Sequence, residues 1–311
     1  MSAPPLVALT GATGFLGGAI ARVLSRKGYA VRALARDPAR LLNTPGLQPL
    51  AGDLRTPASL SALVQGADAV IHCAGLVKAR TRAEFFRVNA EAAAALADAC
   101  VNAAARRFVL ISSLGAREPR LSDYTASKAA GEEAVRERAG LAATILRPCA
   151  IYGAGDPESA KLLRVAAAGF LPVLGPPQAR ISLIHVHDCA TAALAALESE
   201  GTVGRTYEVD DGHGGYSWAQ MAQALSSALG RPVRPLPTPL PALALAAQLN
   251  AWRAALLREA AMLTPGKARE LAHPDWAVRL GGLQQDSDWA PRMNLEQGFR
   301  EACSAAHRGG A

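Results

Sequence analysis

A tyrosine and a lysine stand four residues apart in "SDYTASKAAGEEAVRE", residues 122–137. On a helix this spacing puts both side chains on one face, one turn apart. Tyr124 can then give or take a proton, and Lys128 can supply a positive charge beside it. A free phenol ionises near pH ~10, so a cation that favours phenolate moves it toward the working range of an enzyme. Upstream, "RFVLISSLGA" carries Ser112 and Ser113 at the end of a strand-like run. A hydroxyl at that place can polarise a substrate oxygen. Singly, each residue has an ordinary alternative. Tyr124 would anchor a helix start, Lys128 would be a solvated side chain, and Ser113 would end a strand. The rest of the chain supplies the context.

"TGATGFLG", residues 10–17, follows a strand-like run and opens a helical one. Its Gly11, Gly14 and Gly17 let the backbone approach a pyrophosphate, and the helix N-terminus offers unpaired N–H groups and a partial positive charge. The end of the next strand selects between dinucleotides. A carboxylate there suits the ribose 2′-hydroxyl of NAD, and an arginine suits the 2′-phosphate of NADP. Ala35 stands where the acid would be, and Arg36 follows it. The cofactor expected is therefore NADP(H) in preference to NAD(H). Asp37 keeps NAD(H) open, since a shift of two residues restores an acid.

The elements that must position these residues are legible in residues 1–155. "LVALTG" reads as a strand and "GFLGGAIARVLSRKG" as a helix stopped by Gly28. "AVRALAR" is a strand, "PASLSALVQG" a helix, and "DAVIHCAG" a buried strand. "AEFFRVNAEAAAALADACVNA" reads as one long helix, "RFVLISSLGA" as a strand, "YTASKAAGEEAVRERAG" as a helix, and "AATILRPCAIYG" as a strand and turn. Such alternation predicts the α/β class, with βαβ units and a doubly wound parallel sheet of Rossmann type. Residues 156–311 read as a smaller, mixed substrate-binding part, with segments near 180–210 returning to the sheet. There "TYEVDDG" is a strand, "SWAQMAQALSSALG" a capped helix with a glycine stop, and "PVRPLPTPLP" an extended connector.

Bulk properties exclude several classes. Of 311 residues, 50% are hydrophobic and 19% charged, which fits a packed globular chain. The net charge of +7 comes from scattered Lys and Arg without a long basic run, so no nucleic-acid partner is expected. Five cysteines, odd in number and without a CxxC, argue against a disulfide framework and against a metal site. The start lacks a charged n-region and a long apolar run, and "PALALAAQL" is too short to span a membrane. A cytoplasmic protein acting on a small-molecule substrate is expected.

With these motifs in order, the chain resembles the extended short-chain dehydrogenase/reductase superfamily, in its NAD(P)-dependent epimerase/dehydratase and dihydroflavonol-reductase-like group. The resemblance runs over nearly the whole chain. It implies that Gly11, Thr13, Gly14, Phe15, Leu16 and Gly17 form the cofactor loop, and that "AGDL" puts Asp53 and Leu54 at the adenine. It sets Ala74 and Gly75 of "HCAG", with Pro148 and Ile151 of "LRPCAIYGAGD", along the cofactor. Asn89 becomes a structural hydrogen-bonder, and His185 and His187 structural residues leading to Asp188. Ser113, Tyr124 and Lys128 become catalytic, with Ser113 chosen over Ser112 as the last serine of the run. In this family the tyrosine exchanges the substrate proton while hydride moves to or from the nicotinamide, and Lys128 would hold the nicotinamide ribose. The resemblance also implies a homodimer built on the helices of residues 83–103 and 124–140.

Two departures bear on the substrate. The link "LGAREPRLSD" between Ser113 and Tyr124 is shorter than in many relatives, which implies an open site. In "ARISLIHVHD" Ile181 stands where sugar-nucleotide enzymes carry an arginine, and Arg180 is displaced by one. On a strand that points it to the other face. With the apolar "AAAGFLPVLGPP", this leans toward an apolar alcohol or ketone. The function expected is NADP(H)-dependent interconversion of C–OH and C=O. The alternatives are a sugar-nucleotide epimerase or dehydratase with retained cofactor, and a non-catalytic NAD(P)-binding or assembly protein.

Overall fold

The structure, a computed structural model, describes residues 4–41, 46–105, 107–279 and 281–308. The first half runs β1 (Leu6–Thr10), α1 (Phe15–Arg26), β2 (Ala30–Ala35), β3 (Leu47–Ala51), α2 (Pro57–Val64), β4 (Ala69–His72), α3 (Arg82–Phe86), α4 (Ala92–Asn102), β5 (Arg107–Ile111), α5 (Asp123–Arg136) and β6 (Ala143–Pro148). The second half adds β7 (Ala150–Tyr152), α6 (Pro157–Ala167), β8 (Phe170–Val173), β9 (Arg180–Ile181), β10 (Leu183–His185), α7 (Val186–Glu198), β11 (Thr206–Val209), α8 (Trp218–Leu229), β12 (Arg234–Pro237), α9 (Leu240–Leu257), α10 (Pro265–Leu271), β13 (Asp275–Trp276), α11 (Leu283–Asp286) and α12 (Leu295–Arg308).

Seven strands form one parallel sheet in the order β11-β6-β5-β4-β1-β2-β3. The expected doubly wound Rossmann-type fold is present. Its strands are apolar throughout because helices cover both faces: β4 and β5 are buried at every residue. Helix α1 shows why periodicity is decisive. Leu16, Ile20, Val23 and Leu24 recur at the spacing of one helix face, and all four are buried. The chain order reverses at β1, which has β2 on one side and β4 on the other. A crevice opens there beyond the carboxyl ends of the strands, the place where such sheets bind ligands.

Two departures from the sequence pattern have physical causes. The predicted helix over 83–103 is broken: α3 and α4 are separated by a π-helical turn, Arg87–Glu91. The buried Asn89 in that turn accepts from Leu76 N (2.8 Å) and donates to Leu76 O (3.0 Å) and to the Ser127 hydroxyl (2.9 Å). Those bonds hold the turn wide. Strand β3 was hidden in the sequence, where Pro49 and the polar Gln48 interrupt "GLQPLAG". The proline is tolerated because β3 is an edge strand.

Beyond the sheet, α6, α8 and α12 enclose a second core around Leu163, Leu225 and Phe299. Helix α8 has the expected caps: a Ser217/Gln220 capping box at its start and Gly230 in the left-handed region at its end. The proline-rich connector is extended, and β12 within it pairs in parallel with β8. Helices α9 and α10 pack on each other through a small core of Leu243, Ala247 and Ala268.

Candidate functional site

The cofactor loop is built by close approach. Gly11 has a φ of +79°. A Cβ there would stand 2.7 Å from the Ala74 nitrogen, and a Cβ on Gly17 would stand 2.0 Å from the Gly11 carbonyl oxygen. Neither position admits a side chain, and the contact with Ala74 presses the loop onto the end of β4. Helix α1 starts at Phe15 with Gly14 as its N-cap. No side chain caps it and no acidic residue lies in its first turn. Its first N–H groups and its dipole are therefore free for an anion. Thr13 and Gly14 are exposed at the rim, while Leu16 and Gly17 are buried beneath. This cradle fits the pyrophosphate of a dinucleotide.

The corner expected to take the adenine lies past β2 and β3. Arg36 is exposed just after β2. Asp37 turns away, its carboxylate accepting from Ala39 N at 3.2 Å. Asp53 accepts from the Arg55 backbone and guanidinium at 2.7–3.0 Å. Those bonds, chiefly from the Arg55 side chain, hold its carboxyl down to about 2, and the charge of Arg36 adds to the effect. Arg36 and Asp53 thus share one corner. Leu54 is half-buried against the core beside it.

The other end gathers the expected catalytic residues at the end of β5. Lys128 is buried on α5 and its Nζ donates to the Ile111 carbonyl at 2.8 Å. Gly75 lies close by: a Cβ there would be 3.7 Å from Lys128 Nζ and 3.1 Å from Asn89 Oδ1. The Ser113 hydroxyl accepts from Gly115 N at 3.1 Å and lies near enough to Tyr124 to favour its phenolate. Gly115 lies against both, at 3.3 Å and 3.7 Å from where its Cβ would stand. Ser112 is occupied elsewhere, donating to Glu132 at 2.5 Å. Pro148 ends β6 and is buried, and Ile151 of β7 packs against the core that also carries Phe15.

The electrostatics differ from the expectation in one respect. The phenol of Tyr124 is pushed up to about 12, first by burial. The nearby Ser113 hydroxyl opposes this and the Glu270 carboxylate adds to it. Lys128 was expected to pull it down, but its ammonium is turned to the Ile111 carbonyl. Burial lowers Lys128 itself to about 8, against the opposing charges of Cys73 and Glu132.

Three features escaped the sequence reading. Glu132 is fully buried and accepts from Arg147 Nε (2.8 Å) and Nη2 (2.7 Å) and from Arg136 Nη2 (2.8 Å). Burial alone would raise its carboxyl, but Arg147 and then Ser112 outweigh that and hold it below the usual range. The signal was available: Tyr124, Lys128 and Glu132 fall four apart on one face. Glu208 of β11 forms a further buried pair with Arg117 at 3.2 Å. Glu270, on α10, accepts from the Ser122 hydroxyl at 2.5 Å and from Lys267 at 2.8 Å. No local pattern links it to residue 124. His185 is buried edge-on to Tyr152, and Asp188 accepts from Arg292 N and Met293 N at 3.0 and 2.8 Å, so this corner anchors the C-terminal segment. Arg180 donates to the Gly215 carbonyl at 2.6 Å.

Tyr124 faces a cleft of about 600 Å³. Its walls come from residues 77–85, from residues 119–126, and from Ala261–Glu270, including Phe85, Met262 and Glu270. The cleft has an apolar wall, a polar patch at Ser122 and Glu270, and a protonated phenol at its floor. With hydride available beside it, this arrangement can carry a proton to or from a carbonyl or alcohol oxygen.

Comparison with known proteins agrees. The NAD dependent epimerase/dehydratase family matches residues 7–210. The chain is 43% identical to the ceramide reductase of Caulobacter vibrioides (strain NA1000 / CB15N), over 87% of this chain and 85% of the relative. It is 24% identical to the UDP-glucose 4-epimerase of Vibrio cholerae, over 97% and 95% of the two chains. The fold superimposes on the solved structure of MoeE5 in complex with UDP-glucose and NAD with a TM-score of 0.75, covering 99% of this chain and 100% of that one at 21% identity. The chain belongs to the NAD dependent epimerase/dehydratase family and is an NAD(P)-dependent enzyme of the extended short-chain dehydrogenase/reductase type.

Proposed function

We propose that the protein is an NADP(H)-dependent reductase that converts a ketone on a long-chain lipid of the ceramide class into the alcohol. The observation that carries this reading is Tyr124, which lines the cleft with Ser113 close behind it and is held protonated at neutral pH. A phenol that keeps its proton is a donor rather than a base, which suits reduction. The likeness to a ceramide reductase supports the lipid substrate. A ceramide carries a secondary alcohol beside its amide, and the ketone form of that carbon is the group to be reduced.

The chemistry the dinucleotide supplies when bound is hydride donation to the carbonyl carbon. The chain's own residues do the rest. Ser113 Oγ and Tyr124 Oη converge on the carbonyl oxygen, and Tyr124 passes its proton to that oxygen as charge develops. Lys128 would hold the nicotinamide ribose. Ser122 and Glu270 lie where the polar head of the substrate would sit. The Gly11–Gly17 loop would hold the pyrophosphate, and Asp53 and Leu54 would stand near the adenine.

A sugar-nucleotide reading is less well supported. Arg180 is engaged with the Gly215 carbonyl, and Ile181 offers no charge to a diphosphate. The deciding assay follows NADPH oxidation with the keto form of a long-chain N-acyl amino alcohol, and separately with UDP-glucose or its 4-epimer. Net oxidation with the keto lipid alone is expected. Interconversion of the sugar nucleotides without net oxidation would refute the reductase reading.

Cofactor choice is a separate expectation and rests on Arg36. A charge-assisted hydrogen bond is worth about 1.5–3 kcal/mol, or about ten- to a hundredfold in affinity. Arg36→Ala should weaken NADPH by that factor and NADH far less. Dissociation constants for both cofactors check this, and an equal loss for the two would count against the assignment.

A further inference from the structure

Helix α9 is apolar on almost every side. Its 18 residues, "LPALALAAQLNAWRAALL", contain a single charge, Arg253. Only Leu243, Ala247 and Ala254 are buried. Leu245, Leu249, Trp252 and Leu256 recur at steps of four, three and four, which is one stripe along the helix. They are 58–71% exposed, and Leu257 at the end is 52% exposed. A stripe of this kind marks an interaction surface.

What it meets is indicated by two further observations. A groove of about 410 Å³ runs beside the end of α9, floored by Ala79, Ala251, Ala254, Ala255 and Ala261. Arg80, Thr81, Ala261 and Thr264 line both this groove and the Tyr124 cleft, so the two are continuous. The alanines leave width for an alkyl chain, and Arg80, Thr81, Arg258, Glu259 and Thr264 edge the groove. The groove's charged residues are Arg80, Arg258 and Glu259, an excess of positive charge. Arg258 lines the groove and Arg120 the cleft, and neither has an ion-pair partner among the described residues. Arg253 is exposed beside the stripe, its guanidinium 4.0 Å from Glu259. A second copy of this surface would bring like charges together. An anionic bilayer would neutralise them while accepting the leucines and the tryptophan. Among the described residues no helix is long and apolar enough to cross a membrane, so α9 would lie on the surface.

We propose that α9 docks on the surface of an anionic lipid bilayer through Leu245, Leu249, Trp252 and Leu256, so that a lipid substrate can slide along the alanine groove to Tyr124. The docking itself stands on the geometry of α9. The delivery of substrate rests on the lipid-ketone reading above.

The test uses the full chain and needs no substrate for its first arm. Sedimentation is measured with vesicles of phosphatidylcholine alone and of phosphatidylcholine mixed with phosphatidylglycerol. Binding to the mixed vesicles, weakened by salt, is expected. A triple variant, Leu249→Ser with Trp252→Ser and Leu256→Ser, should bind at least about tenfold more weakly. Because these side chains are exposed, its thermal midpoint and NADPH affinity should match the wild type, which separates docking from folding. In the second arm the variant should keep its kcat/KM for a short water-soluble ketone and lose about tenfold or more on a keto lipid embedded in vesicles. Wild type that fails to sediment with mixed vesicles, or a variant that binds them as well as wild type, overturns the proposal. A wild-type dimer in light scattering that becomes monomeric in the variant also overturns it and assigns the stripe to a second copy. Vesicle binding without turnover of any keto lipid would leave the docking standing and remove the substrate reading. Turnover in detergent without vesicle binding would do the reverse.

Discussion

Tyr124→Phe should lower kcat for ketone reduction by about 10²–10⁴-fold, or about 2.7–5.4 kcal/mol of barrier. The change removes one oxygen and keeps the ring, which packs 6.1 Å from Phe85 between centroids. The fold and the cofactor loop are untouched, so NADPH affinity should stay within about twofold. The pH profile adds an independent check. Reduction needs the protonated phenol, and burial raises that group to about 12. The rate of reduction should not fall through loss of this proton across the neutral range. In the oxidation direction the rate should rise with pH as the phenol ionises. A variant that retains more than about a third of wild-type kcat would move the proton donor elsewhere.

Lys128→Met should damage both binding and turnover, which distinguishes it from the tyrosine change. Loss of a charged hydrogen-bond donor to the ribose should weaken the cofactor by about ten- to a hundredfold. Wild-type Lys128 is buried and lowered to about 8. Its ammonium is present below that pH and lost above it. Cofactor affinity of the wild type should therefore weaken as pH rises through about 8, while the variant stays flat. The rise of the oxidation rate should stay where it is in the variant, because the Lys128 ammonium faces the Ile111 carbonyl and is already lost below the pH at which the phenol ionises. Dissociation constants and kcat measured across that range decide it. A variant with unchanged cofactor affinity would reduce Lys128 to a prop for the Ile111 carbonyl.

The sheet was legible because its signals are local. The buried runs of β1, β4 and β5 and the 3.6-residue rhythm of α1 each declare themselves within a dozen residues. The glycine loop was legible for the same reason, since strand, turn and helix adjoin. What could not be seen depends on contacts between distant segments. The π turn at Arg87–Glu91 keeps a helical apolar rhythm, and only the bonds of Asn89 to Leu76 and Ser127 reveal it. The upward push on Tyr124 comes from burial and from Glu270 on α10, which no spacing rule connects to it. Apolarity of "PALALAAQL" was plain, but which flank of α9 stays uncovered follows from how α10 packs against it.

The edge position of β11 has a consequence for the chain as it is made. Thr206–Val209 pairs in parallel with β6, so Ile145 waits for Thr206 and Pro148 for Val209. Until residue 209 has left the ribosome, the outer flank of β6 is an open row of N–H and C=O groups, ready to pair with another nascent chain. Arg147 on that strand has Glu132 from its own helix neighbour, but its second carboxylate neighbour, Glu208 at 3.8 Å, arrives with β11. The dinucleotide half therefore cannot finish its sheet during synthesis on its own residues. Newly made chains shorter than about that length should depend on chaperones more than a self-contained nucleotide-binding domain would.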